Sequence, residues 1–243
     1  MMGIGTFVAA SPLAVGPSFV PLPQLPLVAG GAGSAEPTVA VQLVILLTLL
    51  AMAPALVIML TSFSRIIIVL SFLRTAMGTQ QMPPNQVLIG LTLFLTVFIM
   101  APVGEQINRE ALQPYLSRKL AQETALERAV QPLREFMFKQ TRERDLALMV
   151  HLARLERPKD RAAVPTHVLV PAYAISELRT AFQIGFVLFI PFLVIDMVVS
   201  SVLISMGMLF LPPPVISFPF KLLLFVLADG WHLVVRSLVM GFQ

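Results

Sequence analysis

Cysteine is absent from all 243 residues, which excludes disulfide scaffolds, thiolate metal sites, iron–sulfur clusters and cysteine nucleophiles, and leaves the redox compartment open. Charge is nearly as scarce. Asp, Glu, Lys and Arg make up 12% of the chain against 57% apolar residues, and the mean hydropathy is +0.85. So few charges do not cover a water-soluble fold, so a soluble enzyme, a collagen-like chain and a disordered tail are excluded; the composition is that of a membrane protein. The net charge of +4 comes from 17 basic and 13 acidic side chains. Their signs alternate closely where they cluster, which is a solvated face and not a phosphate-tracking stripe, so no nucleic-acid partner is expected.

Catalytic signatures are missing as well. His151, His167 and His232 are scattered, and none belongs to the set of helically spaced histidines and carboxylates that a zinc site needs. No Walker loop, dinucleotide fingerprint or G-x-S-x-G elbow is found. The serines Ser62, Ser64, Ser200, Ser201 and Ser205 sit in no nucleophile motif and are read as packing contacts of membrane helices. No enzyme activity, metal or cofactor is expected.

What the chain does contain is sharply partitioned. Of the 30 charged residues, 21 fall between Glu105 and Arg161, and nine are spread over the other 186 positions. Uncharged runs at 37–64, 75–104 and 197–220, with 180–195 joined to the last through the single acid Asp196, supply helices of about 20 residues, enough to cross roughly 30 Å of hydrocarbon. These runs predict an all-α fold of four long apolar helices near 41–72, 86–104, 183–209 and 215–239. Pro83-Pro84 and Pro212-Pro213-Pro214 separate them into two helical hairpins, because proline lacks the N–H and constrains its neighbour. Pro54 and Pro191 fall inside the first and third helices, where kinks are expected.

Within the charged stretch, Leu126, Ala129, Val130, Leu133, Phe136 and Met137 recur at helical spacing, as do Leu146, Met149, Val150 and Ala153. That predicts a small amphipathic helical domain outside the membrane, packed on itself or on neighbouring copies. Pro165 and Pro171 are read as a turn-rich return to the membrane. The expected organisation is therefore 1–35, a signal segment or flexible tail; 36–104, a first hairpin; 105–170, the charged domain; and 171–243, a second hairpin. Gly33-Ser34-Ala35 offers a cleavage site, although no basic residue precedes it. Arg65, Arg74 and Lys221 flank the hairpin turns, so the positive-inside rule puts those turns in the cytoplasm and the charged domain and both termini in the periplasm.

Three polar residues interrupt the apolar helices. Asp196 is a lone acid in the third helix, and its cost of about 2.5–3.5 kcal/mol at a bilayer centre requires a protein or water contact. Arg65 needs the same, because Ile66 to Leu73 continue the apolar run beyond it. Arg74, Glu177, Arg179, Lys221 and Asp229 are read as helix-end residues snorkelling to the interface. Asp196, Arg65 and Lys221 are the candidate intramembrane polar contacts. A second cluster, Met206, Met208, Leu209, Phe210 and Leu211, runs into Pro212; such pliable apolar side chains suit either core packing or a seal around a passage. With two hairpins that faintly echo each other, a secondary membrane transporter is the alternative reading.

Residues 60–103, LTSFSRIIIVLSFLRTAMGTQQMPPNQVLIGLTLFLTVFIMAPV, with PAYAISELRTAFQIGF at 171–186 and PFKLLLFVLADGW at 219–231, resemble the FliP family of flagellar and injectisome export proteins. The resemblance runs from about Val41 to the C-terminus. It implies a core subunit of the type III export gate: five copies assembling with FliQ and FliR in the flagellar basal body of the bacterial inner membrane, beside FlhA and FlhB. Unfolded flagellar proteins would pass through the middle of the ring, with no covalent reaction by the subunit. It also implies an assembled ring drawn up toward periplasmic level, whose hairpins pack on one another. Family members carry a methionine-rich loop at the constriction, typically three consecutive Met before the Pro-Pro. Here Met208 alone remains in that run, followed by Leu209 and Phe210, which keeps the stretch apolar and bulky but less pliable.

Overall fold

The computed structural model describes residues 37–79, 82–155, 160–208 and 210–242. The possible signal segment with Gly33-Ser34-Ala35, and Leu209 of the candidate seal, lie outside the described residues. Among the described residues every regular element is helical and there is no strand. The elements are α1 (Pro37–Leu60), α2 (Phe63–Ala76), α3 (Asn85–Ile107), which continues through a π-helical turn (Asn108–Leu112) into the short α4 (Gln113–Leu116), then α5 (Gln122–Gln140), α6 (Glu143–Leu152), α7 (Thr166–Ser205), α8 (Pro213–Leu227) and α9 (Gly230–Met240). The all-α expectation holds. Among the described residues three helical segments are long and apolar enough to cross a membrane, or four if α8 and α9 together count as one bent span.

The contacts divide the chain into Met1–Thr48 and Leu49–Gln243. In the first, the described part is the opening turns of α1. The second holds two cores. One is built on α2, whose Ile66, Val69, Leu70, Leu73 and Ala76 meet Leu88 of α3, Ala181 and Phe192 of α7, Phe225 of α8, and Val234 and Leu238 of α9. The other gathers Phe136 and Met137 of α5, Val150 of α6, Val103 of α3 and Val168, Leu169 and Tyr173 of α7. The apolar stripes of α5 and α6 thus close on the first turns of α7 and on α3.

All four expected helices differ from expectation in extent or continuity. The helix expected at 41–72 breaks at Thr61-Ser62. There the Thr61 hydroxyl donates to the Val57 carbonyl and accepts from the Phe63 N–H, while the Tyr173 hydroxyl takes the Thr61 carbonyl at 2.8 Å. Side-chain bonds have replaced backbone ones. The helix expected at 86–104 runs on through the π-helical turn to Leu116. The helix expected to begin at 183 begins at Thr166 and absorbs Pro171, where a turn is expected; Tyr173, Ser176, Glu177, Thr180 and Gln183 find partners inside the protein, so they do not end it. The helix expected at 215–239 bends by 63° between α8 and α9. Asp229 adopts φ 48° in the left-handed region, and Gly230 admits the Phe225 ring so closely that a Cβ there would lie 2.2 Å from it.

Candidate functional site

The sequence PAYAISELRTAFQ sets Ser176 and Glu177 three and four residues after Tyr173, Thr180 four and three after those two, and Gln183 three after Thr180, one face of a helix. On α7 that face is buried at Tyr173, Ser176 and Glu177 and meets α2, α5 and α6. Glu177, fully buried, forms an ion pair with Arg65 of α2, which is 2% exposed. The Arg65 Nε donates to Glu177 Oε2 at 2.8 Å and its Nη2 to Oε1, a bidentate fork. Nη2 also donates to Gln140 Oε1 of α5 at 3.0 Å, and Nη1 to the Gly241 carbonyl at 2.9 Å. The guanidinium lies 3.8 Å above the Phe242 ring, a cation–π contact. One arginine therefore ties α2, α5, α7 and the segment after α9 together.

Beside this pair the same helical face holds the α5–α6 junction. Ser176 Oγ donates to Asp145 Oδ2 at 2.7 Å and accepts from the Arg142 backbone N–H at 3.1 Å. The Arg142 guanidinium reaches Thr180 Oγ1 at 3.3 Å and Gln183 Oε1 at 2.5 Å. Arg134 of α5 donates to the Val164 carbonyl and to Thr166 Oγ1, fixing the start of α7.

Asp196 lies about five turns further along α7. Its Oδ2 accepts from Lys221 Nζ at 2.6 Å and its Oδ1 from Ser217 Oγ at 2.5 Å, both from α8. Lys221 and Ser217 are buried, and the Asp196 side chain is 26% exposed. The structure thus brings Asp196 together with Lys221, whereas Arg65 is joined to a different acid. Arg74 is half-buried and donates to Asn85 Oδ1 at 2.5 Å, stapling the turn between α2 and α3.

The turn after α7 closes as a Schellman motif: the Gly207 N–H bonds to the Ile204 carbonyl and the Met208 N–H to the Leu203 carbonyl, with Gly207 at φ 74°. Helix termination there leaves Met206, Met208 and Leu211 exposed, and Phe210 is 100% exposed. Among the described residues nothing covers Phe210.

The outward faces of the long helices are apolar, and their buried faces mix apolar and polar side chains. On α3 the buried positions include Leu88, Thr92 and Thr96, whose threonine hydroxyls bond back to carbonyls four residues earlier at 2.7 Å. The opposite face exposes Val87, Leu93, Phe94, Val97 and Phe98. Likewise α7 exposes Phe186, Val187, Val194, Met197 and Val198. Such a surface is made for lipid or for other apolar helices.

Reading the sequence missed Glu177, taken for a snorkelling helix-end residue, and the supporting Tyr173, Ser176, Gln140 and Ser217. The three-and-four spacing of polar residues from Tyr173 to Gln183 was the available signal. Among the described residues no three metal-binding side chains converge.

Comparison with known proteins is consistent along the chain. The sequence model of the FliP family matches residues 46–238. The flagellar biosynthetic protein FliP of Bacillus subtilis is 57% identical over 202 residues, covering 83% of this chain and 91% of that protein. The protein of the same name from Pectobacterium carotovorum is 56% identical over 84% of this chain and 80% of its own length. That from Aquifex aeolicus is 47% identical over 90% and 93%.

Proposed function

This chain belongs to the FliP family, and from that premise we propose that it is a core subunit of the flagellar type III export gate, working as one of several copies around a shared channel. It is a component of flagellar biosynthesis built of apolar helices. Its expected setting is the bacterial inner membrane at the base of the flagellum, with FliQ, FliR, FlhA and FlhB as neighbours and unfolded flagellar proteins as cargo. The charged α5–α6 region and the termini are assigned to the periplasmic side. The subunit moves cargo by enclosing it and performs no covalent chemistry.

The observation that carries this reading is the uncovered apolar surface: bare aromatic and aliphatic faces on α3 and α7 and a fully exposed Phe210, around a subunit that pairs Arg65 with Glu177 and Lys221 with Asp196. An apolar turn on each copy, brought together around an axis, makes a gasket that excludes water and ions until a chain is pushed through. In this assignment Met206, Met208, Leu209, Phe210 and Leu211 line the closed point. Asp196 and Lys221 hold α7 to α8 on either side of it, and Arg65 anchors the scaffold.

Expressing the protein in a bacterium whose own fliP is deleted should restore filament assembly. Replacing Met208, Leu209 and Phe210 together with glycine should leave the complex assembled but make membranes containing it conduct small ions. Unchanged conductance with normal complex yield would remove the gasket assignment, and failure of the parent chain to restore filaments would remove the export reading.

A further inference from the structure

One groove on α7 is unrelated to the turn or the ion pairs. It is lined by Phe72 of α2 and by Arg179, Phe182, Gln183, Phe186 and Val187. Its floor is the Phe72 ring, seated on Gly185 so closely that a Cβ there would come within 2.7 Å of the ring, and met edge-on by Phe182 at 5.3 Å between centroids.

The rim is polar and cationic. Arg179 is exposed and, among the described residues, has no hydrogen-bonding or ionic partner. Arg142 stands across Gln183, whose Oε1 it holds, so the Gln183 amide N–H2 remains to donate. No carboxylate lines the groove. The nearby acids are engaged: Asp145 is buried and takes Ser176, and Glu177 is buried against Arg65.

The level of this rim along the helix is informative. Gln183 is the last polar side chain before Asp196; Ile184 to Ile195 between them are apolar or glycine throughout. Those 12 residues extend about 18 Å along the axis. Phe186, Val187, Ile190, Leu193 and Val194 form an exposed stripe down the same side. An arginine with free donors at the point where polarity stops, above an uncovered apolar track, matches a phosphate head with an acyl chain below it.

We propose that this groove binds an anionic membrane phospholipid, its phosphate on Arg179 and the Gln183 amide and one acyl chain along Phe186 and Ile190. The site requires only that α7 enter a membrane; it does not depend on the export channel, and its failure would leave that reading untouched.

The test uses the full chain purified in mild detergent, supplied with phosphatidylglycerol or phosphatidylcholine and examined by native mass spectrometry for retained lipid. The expected result is one phosphatidylglycerol held in preference to phosphatidylcholine, undiminished by millimolar inorganic phosphate. Arg179→Gln should lower that retention roughly tenfold, the effect of losing one charge-assisted contact. Arg179→Lys should keep part of it, and Arg236→Gln, at another exposed arginine, should keep all of it. Thermal unfolding of Arg179→Gln should match the parent, showing that the loss is not misfolding. Equal retention of the two lipids, parent-level retention by Arg179→Gln, or displacement by inorganic phosphate would overturn the proposal, as would a groove closed by a second copy that retains no lipid.

Discussion

Two ion pairs sit on one helix and are built to opposite specifications. At Glu177 the partner is an arginine, both groups are buried, and every guanidinium nitrogen of Arg65 has a protein acceptor on Glu177, Gln140 or Gly241. At Asp196 the partner is a lysine, the acid is a quarter exposed, and both contacts come from α8 alone. Arginine's planar fork fixes geometry among several elements; lysine's point charge on a flexible stem tolerates movement. The difference maps onto the helix. The polar contacts of α7 with α2 and with the α5–α6 region fall between Thr166 and Gln183, whereas its later turns pack apolar side chains on α2 and α8, pair Asp196 with α8 and lead to the exposed Met206, Met208, Phe210 and Leu211. On that chemistry the first region is expected to behave as a frame and the second as an adjustable contact.

The comparison is broken most forcefully at Arg65. Arg65→Ala leaves Glu177 as a buried, uncompensated charge and should cost about 3–5 kcal/mol of subunit stability, seen as a large fall in the midpoint of thermal unfolding in detergent. Arg65→Lys should recover little, because one ammonium does not replace a fork that serves four acceptors. The double change Arg65→Met with Glu177→Leu should recover most of the loss, since replacing both charges by apolar groups removes the desolvation penalty. A loss below about 1 kcal/mol for Arg65→Ala, the size of an exposed pair, would mean that the frame is not held here.

Asp196→Asn sharpens the contrast at the other pair. The amide keeps the shape and one acceptor for Ser217 but no longer attracts Lys221, so the expected cost is about 1.5–3 kcal/mol, the value of hydrogen bonds to a charged group. Partial exposure of Asp196 keeps it below that of Arg65→Ala. The larger consequence should fall on assembly or export, measured as complex yield and as secreted flagellar protein. Destabilisation equal to that of Arg65→Ala would erase the distinction between frame and adjustable contact. Normal yield and normal export would show the acid to be dispensable.

How much of this was legible beforehand follows from what hydropathy measures. Apolar runs near 20 residues announce membrane helices because length and polarity alone decide them, so the class of fold and most helix positions were readable. The first half of α7 was hidden by the same rule: Tyr173, Ser176, Glu177, Thr180 and Gln183 lower the hydropathy of a helix that is nevertheless continuous, because their partners are supplied by α2, α5 and α6. Glu177 was misassigned because a charge at the edge of an apolar run looks like an interface anchor, and nothing local reveals an arginine 112 positions earlier. The break at Thr61 was equally silent, since its cause includes the hydroxyl of Tyr173. Asp196 and Lys221 were each conspicuous as isolated charges; Ser217, which completes their contact, was not.

The smallest expected effect on the isolated subunit comes from the outward faces, and that is what makes it informative. Phe94 and Phe98 of α3 are largely exposed, so Phe94→Ser with Phe98→Ser removes little contact within the chain and should change its unfolding by about 0.5 kcal/mol or less per site. If those faces are made for other helices, the same change should sharply reduce recovery of the larger complex, because close packing, and not aversion to water, holds apolar helices together in a membrane. If they face lipid throughout, complex yield should stay at the parent level. A stable subunit that no longer assembles would place the apolar faces with the interfaces; a stable subunit that assembles normally would leave the turn at Met206–Leu211 and the contacts around Asp196 as the places where copies meet.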